Sequence, residues 1–411
     1  MTCKIPARLI AAIAAGTLIA SGWALIGNDS ATAVSSGAAL AAPYVDLAGW
    51  PTPDMVSMSH ATGLKAFTAA FVVQESNKAC SPAWGAYSAY VVGGSGDFLA
   101  NITSTKNAGA RVIVSFGGAA NSELAINCTT DSLLLAAYKK VIDRYGIDRI
   151  DFDIEGAAVS NSTANQRRAR VVAQLQADYA AAGHPVEVSL TLPVMPTGLI
   201  ASGIRTVKEF AAAGVKLAQV NVMAMDYGTG VTDMGAAAIS AATRLVTQLK
   251  AIPQYSALTT KQLYAMVGIT PMIGRNDIST EVFTVAHASK VAAFAKAKGV
   301  GELSWWSMTR DKPCTNRTEA VYLCTHVSDP IWAFSKAFFT GIGGVIPTST
   351  PGPTATTSGC PAFVQPYAGD LPYGVGSRLT FEGQVYISTV SPNWWSPAAA
   401  PTYWYLTTGC G

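Results

Sequence analysis

Charge is what this 411-residue chain has least of. Asp, Glu, Lys and Arg make up 13% of it, against 50% hydrophobic residues, and the formal net charge is only +3. Lys and Arg are scattered rather than clustered, which argues against a partner such as nucleic acid or an anionic membrane. The hydrophobic fraction excludes disorder as a property of the whole chain. Histidine is scarce too, with four residues, and neither a His cluster nor a Cys-x-x-Cys pair occurs. No metal site and no cofactor are therefore expected. Beyond the N-terminal region no run is long and apolar enough to span a bilayer.

The N-terminal run itself reads as a secretory signal over residues 1–41. Lys4 and Arg8 precede an apolar stretch over 9–26, followed by small residues with candidate cleavage sites at Ala31-Thr32-Ala33 and Ala39-Leu40-Ala41. The expectation is a secreted, extracellular protein, free of the membrane once the signal is cleaved; an uncleaved anchor is the alternative. Cysteine usage agrees. Cys3 falls in the signal, and an even set of six remains: Cys80, Cys128, Cys314, Cys324, Cys360 and Cys410. Proximity suggests disulfides 314–324 and 360–410, leaving 80–128.

Strand-like runs at 44–48, 65–74, 111–118, 148–155, 185–194, 219–228, 264–271 and 301–308 alternate with helical ones, among them 131–145, 164–182, 206–213, 234–252 and 283–298. Gly146, Gly183, Gly214 and Gly299 stand near helix ends. This pattern predicts an α/β chain with a (β/α)8 TIM barrel over 42–340, with a doubly wound sheet as the alternative. Residues 341–358 form a Pro/Thr/Ser/Gly linker. Beyond it, 359–411 read as a small all-β module rich in aromatics, whose marginal core a 360–410 disulfide would stabilise by roughly 4 kcal/mol.

One stretch breaks the scarcity of charge. Asp148-Arg-Ile-Asp151-Phe-Asp153-Ile-Glu155 places three carboxylates at alternate positions of a strand. Asp151, Asp153 and Glu155 share one face, with Ile150, Phe152 and Ile154 on the other. Like charges in line raise and couple their pKa values, a cost accepted mainly where protons are moved. Glu155, nearest the open end of the strand, is the natural general acid, with charged Asp153 beside it to hold its proton. Asp151 would share a proton with Asp153, and Asp148, out of phase, would be structural. A calcium loop is excluded because it needs turn formers between its ligands. Glycoside hydrolysis fits: it requires a positioned acid, commonly paired with a second carboxylate.

Here the residues carry a resemblance. Asp148-x-x-Asp151-x-Asp153-x-Glu155 matches the D-x-x-D-x-D-x-E signature of glycoside hydrolase family 18, the chitinases and related endo-N-acetylglucosaminidases. Ser115-Phe116-Gly117-Gly118 is similar to that family's S-x-G-G motif. The resemblance implies a retaining, substrate-assisted mechanism on chitin or N-acetylglucosamine oligosaccharides. Glu155 would donate the proton, Asp153 would orient the acetamido group and Asp151 would take up the shared proton. Asp226 matches the Asp of the family's sixth-strand motif, Tyr227 resembles its tyrosine shifted by one position, and Met223 precedes them. Trp306 aligns with the floor tryptophan under the sugar, leaving Trp305 to the core. Gly117, Gly118, Met223 and Tyr44 are candidate substrate contacts; Trp50, Trp84 and the Asn276-Asp277 pair are weaker ones.

The 359–411 piece resembles a chitin-binding module, with Trp394, Trp395 and Trp404 as its stacking candidates and some rings reserved for its core. A monomer is expected. Two other readings stay open: an endo-β-N-acetylglucosaminidase acting on N-linked glycans or peptidoglycan-like chains, and a non-catalytic chitin-binding lectin, which the presence of Glu155 disfavours.

Overall fold

Eight short runs rich in Val, Ile, Ala and aromatics become parallel strands in the computed structural model, which describes residues 39–228, 230–346, 360, 373, 377–381, 384–389 and 403–407. Proceeding around the sheet, Ala66–Gln74, Arg111–Gly117, Arg149–Asp153, Glu187–Met195, Leu217–Ala224, Val267–Pro271 and Glu302–Leu303 each pair with the next. The ring is completed by residues 40–46, which contain the short strands Leu40–Ala41 and Tyr44–Asp46. On one side Leu40, Ala42 and Tyr44 donate to Gly301, Leu303 and Trp305; on the other Thr68 donates to Pro43. This arrangement is consistent with a (β/α)8 barrel and not with a doubly wound sheet, whose edge strands stay unpaired.

The outer face of the sheet is apolar because alternate residues point away from the barrel axis. Ile150, Phe152 and Ile154 are buried there, and Phe152 packs 5.4 Å from Phe116 and 5.2 Å from Tyr138, centroid to centroid. Tyr138 lies on the helix Asp131–Tyr145, which begins at the Thr130 side-chain cap and ends at Gly146 in the left-handed conformation. The helix expected at 206–213 runs from Ala201 to Ala212 instead. Its first turn, Ala-Ser-Gly, carries too little apolar periodicity to be read from sequence. Two insertions decorate the C-terminal rim: strand Pro82–Trp84, antiparallel to the second barrel strand, and a hairpin of Gly274–Arg275 with Val282–Phe283.

Two expectations shift. The sheet begins at Leu40, two residues inside the segment assigned to a signal, because Leu40 and Ala41 pair with Glu302 and Leu303. Cleavage at Ala39-Leu40-Ala41 would remove part of the closing strand, whereas the Ala31-Thr32-Ala33 site lies upstream of it. Residues 1–38 of that segment are outside the described residues. The helix Ala333–Gly341 reaches into the expected linker, with Gly341 tight against Ala292; residues 347–358 of that linker are outside the described residues. Disulfides Cys80–Cys128 and Cys314–Cys324 are present. Cys360 is also disulfide-bonded, while Cys410 is outside the described residues.

Near the C-terminus Arg378–Phe381, Gln384–Ser388 and Trp404–Thr407 form an antiparallel sheet, which suggests an all-β module. Leu379, Tyr403 and Trp404 are its buried core, with Tyr373 5.4 Å from Trp404. Trp404 is thus corrected from ligand platform to core: at 3% exposure its ring has no free face. Trp394 and Trp395 are outside the described residues. No described helix is long and apolar enough to cross a membrane.

Candidate active site

Residues 149, 151 and 153 of the fourth strand share the interior face, and Glu155 follows just past its end, so the barrel holds a ladder of one cation and three carboxylates. Arg149 at the lower end forms a buried ion pair with Glu302, the first residue of the eighth strand. Asp151 comes next. Its Oδ2 accepts from Tyr44 Oη at 2.9 Å and Ser115 Oγ at 2.7 Å; its Oδ1 accepts from Ser189 Oγ at 2.8 Å and Thr191 Oγ1 at 2.9 Å. The register explains this: Ser115 and Ser189 are the direct neighbours of Asp151 on the flanking strands. Burial raises the Asp151 pKa and the hydroxyls lower it again. Four hydroxyls thus fix the orientation of Asp151 beneath Asp153.

Asp153 is the opposite case. It is buried, its Oδ1 has no hydrogen-bond partner among the described residues, and its pKa is pushed far up by desolvation, then by Glu155 and Asp151. Its surroundings favour the protonated form. Glu155 is pushed up to about 7, first by burial, then by Asp226 and Asp277. The polarising charges thus come from the ends of the sixth and seventh strands.

Gly117 and Gly118 serve the backbone rather than offering a surface. A Cβ on Gly117 would overlap the Asp153 carbonyl, and one on Gly118 would meet the Phe71 ring at 2.8 Å. Gly118 N–H donates to Asp153 O at 3.0 Å, so close approach of the two backbones is what demands glycine. Tyr44, expected as a sugar contact, is 2% exposed and uses its hydroxyl on Asp151. Its ring stands edge-on to Trp306 at 6.1 Å. Trp306 is partly exposed and stacks at 5.5 Å on Phe71, while Trp305 is fully buried against Phe338 at 4.7 Å. The assignment of one tryptophan to the interior and one to the helix layer holds.

Met223 is buried in the sixth strand, a core position. Trp84 is likewise core, its Nε1 donating to Tyr145 Oη at 2.8 Å, whereas Trp50 on the loop after the first strand is 85% exposed. Asp226 adopts a positive φ of 49° and accepts from Ile278 N–H at 2.8 Å. Tyr227 is buried, its Oη without a partner among the described residues, and its pKa is raised by burial. Asn276 is not available to a sugar: it is buried, and its Nδ2 donates to Met272 O at 2.9 Å and Gly274 O at 3.2 Å.

Sequence reasoning missed Phe71, Glu281 and Arg310. Glu281 is buried and accepts from the N–H groups of Tyr227 and Gly228. Arg310 is buried and donates to the Arg275 and Cys324 carbonyls. Its pKa is lowered to about 10 by burial, against the attraction of Asp277 and Asp226. Among the described residues the one group of potential metal ligands is Cys314, Cys324 and His326, and its two sulfurs are spent in a disulfide.

A carboxylate ladder opening at the C-terminal ends of parallel strands, with an acid held near neutrality and an aromatic floor beside it, is the site of a glycoside hydrolase. Residues 47–277 match the model of glycosyl hydrolases family 18. The catalytic domain of a hyperthermophilic chitinase from Pyrococcus furiosus is 31% identical, with a TM-score of 0.64 over 75% of this chain and 97% of that one. The chain belongs to glycosyl hydrolases family 18. It is also 34% identical, over 72% of its length, to a "Probable bifunctional chitinase/lysozyme" of Escherichia coli K12, and 34% identical over 66% to "Endochitinase 11" of Metarhizium anisopliae. It spans 34% and 52% of the lengths of these two curated relatives.

Proposed function

We propose that this chain is a secreted, monomeric chitinase that cleaves β-1,4-N-acetylglucosamine linkages with retention, using the substrate's own acetamido group as nucleophile. The observation that carries the reading is the ladder of Asp151, Asp153 and Glu155 opening at the strand's C-terminal end, with Glu155 raised to about 7 and Asp153 Oδ1 without a partner among the described residues. Glu155 is protonated over the acidic and neutral range, so it can protonate the leaving oxygen. It then becomes the base for water.

Asp153, its Oδ1 without a partner among the described residues, can accept from the acetamido N–H and, as the carboxylate, stabilise the positive charge that develops on the acetamido group. Asp151, saturated by hydroxyls, anchors the ladder from below. Tyr227, with a free hydroxyl, is the candidate donor to the acetamido oxygen, and the Trp306 ring the floor for the sugar face. The Pyrococcus furiosus relative, of which catalytic-site mutants were crystallised with chito-oligosaccharides, supports the substrate class.

The test is to incubate the purified protein with a chitin hexamer and follow product anomeric protons by NMR. Fresh β-anomer ends are expected. Fresh α-anomer ends would overturn retention, and an intact hexamer would overturn the substrate. The likeness to the chitinase/lysozyme of Escherichia coli favours one second reading, cleavage of peptidoglycan-like chains, which the same assay reports when purified glycan strands replace chitin.

The C-terminal segment we propose to be a chitin-binding module. Truncation after Ile346, which spares the Ala333–Gly341 helix, should reduce turnover of insoluble chitin about tenfold or more while leaving soluble oligomers unaffected. Equal loss on both substrates would count against that assignment.

A further inference from the structure

The hairpin after the seventh strand makes contacts that neither the acid nor the aromatic floor accounts for. Glu281, in the turn between Gly274–Arg275 and Val282–Phe283, has no exposed surface. Its Oε2 accepts from Tyr227 N–H at 3.0 Å and its Oε1 from Gly228 N–H at 2.8 Å. Among the described residues no Lys, Arg or His forms an ion pair with it. A buried carboxylate without a cation costs several kcal/mol unless strong hydrogen bonds offset it. Here the two offsetting bonds both run to the segment that carries Asp226 and Tyr227.

Asn276 completes the attachment. Its Oδ1 faces Asp226 N–H at 3.4 Å, its own N–H donates to Glu281 O at 2.9 Å, and its Nδ2 is spent on the hairpin backbone. In return the Asp226 carboxylate accepts from Ile278 N–H. Three successive N–H groups, of residues 226, 227 and 228, are thus held by two hairpin side chains. The same loop carries the floor, since Ile273 N–H donates to Trp306 O at 3.0 Å and Trp306 N–H to Pro271 O at 2.9 Å. A hairpin needed only for its own stability could end in an apolar residue at 281.

We infer that Glu281 is a positioning residue for the reaction, its carboxylate clasping the Tyr227 and Gly228 amides so that Asp226 and the free Tyr227 hydroxyl stay aligned with Glu155. This rests on the chitinase reading for the meaning of alignment, but the clasp can be tested without it. The action is indirect: Glu281 spends both oxygens on backbone and touches no reacting atom.

The experiment compares the full chain with Glu281→Gln, which keeps one acceptor but turns an amide donor toward the second N–H. Phe283→Leu serves as the control, because it destabilises the same hairpin and leaves the carboxylate in place. Two readouts are taken at 25 °C: kcat and KM on a chito-oligosaccharide, and hydrogen exchange in peptides covering 223–230. For Glu281→Gln a fall of roughly 10- to 100-fold in kcat/KM, most of it in kcat, is expected, since small misplacements of catalytic groups cost that much. Faster exchange at 227–228 should accompany it, and Phe283→Leu should show neither at a comparable loss of Tm.

Unchanged kcat, unchanged exchange, or the same losses in Phe283→Leu would overturn the assignment. If Glu281→Gln does not fold, Glu281→Asp, which keeps the charge but reaches only one amide, gives the same two readouts. Should the parent protein fail to cleave chito-oligosaccharides, the substrate reading falls, and the exchange result alone decides the clasp.

Discussion

The two ends of the barrel treat charge in opposite ways. At the lower end the charges that face or flank the interior are paired: Arg149 with Glu302, and Arg111 with Asp148 and Glu187. At the upper end Asp153, Glu155, Asp226 and Asp277 accumulate without a paired cation among the described residues, and burial lifts the first three above their ordinary range. One strand spans both regimes, since Arg149 begins it and Glu155 follows just past its end. Paired charges at one rim and unpaired ones at the other are what a barrel shows when one end is kept for stability and the other for chemistry. Substitutions at the two ends should therefore fail in different currencies.

The largest effect belongs to the upper end. Glu155→Gln should lower turnover of chito-oligosaccharides by a thousandfold or more, removing the proton donor while keeping its shape. Binding of the same oligomer, followed by calorimetry, should persist. The same change should stabilise the fold. Glu155 has a folded pKa of about 7 against an ordinary 4.5, so the native state binds the proton more tightly between those values. Stability therefore falls as pH rises through that window, and the loss is complete above it, at about 3 kcal/mol. Denaturant unfolding should show Glu155→Gln gaining that much at pH 8 and nothing at pH 4. Full activity in the variant would break the assignment of the upper end.

The lower end should give the mirror image. Arg149→Met leaves Glu302 buried and uncompensated, and a loss of about 3–5 kcal/mol is expected in urea unfolding. At temperatures well below the transition kcat should stay within about twofold of the parent. Adding Glu302→Leu should recover most of the stability, because an apolar pair of similar volume does not carry the desolvation cost. A large fall in kcat for the double variant would show that the pair also supports Asp151, whose charge lies close enough to raise the Glu302 pKa.

The difference between the ends also explains what could be read from sequence. The carboxylate ladder, the opposed tryptophans at 305 and 306 and the disulfides at 80–128 and 314–324 depend on local periodicity or proximity, and these were legible. So was the succession of strands and helices. The four hydroxyls around Asp151 were not, because they come from residues 44, 115, 189 and 191 and meet only through strand register. Placing Ser115 and Ser189 beside Asp151 would have required knowing the stagger of three strands. Glu281 was hidden for a similar reason. Its partners are backbone amides more than fifty residues away, and amides leave no mark in a sequence. The neighbours that raise Glu155 were hidden too, because alternation shows that carboxylates are close but not which charges act on each of them.

The smallest effect tests that last point. Burial and the charges of Asp226 and Asp277 raise Glu155, and the same two aspartates attract Arg310. Asp226→Asn removes one charge while keeping a side chain that can accept from Ile278 N–H. The Glu155 pKa should then fall toward its ordinary value, and the alkaline limb of the kcat/KM profile should move to lower pH, with a loss at the optimum of roughly tenfold. Arg149→Met, at the far end of the same strand, should leave that limb where it is. If Asp226→Asn leaves the limb in place, burial alone sets the proton donor. If the Arg149 variant moves it as far as Asp226→Asn does, the two ends are electrostatically one region, and the separation drawn between them is wrong.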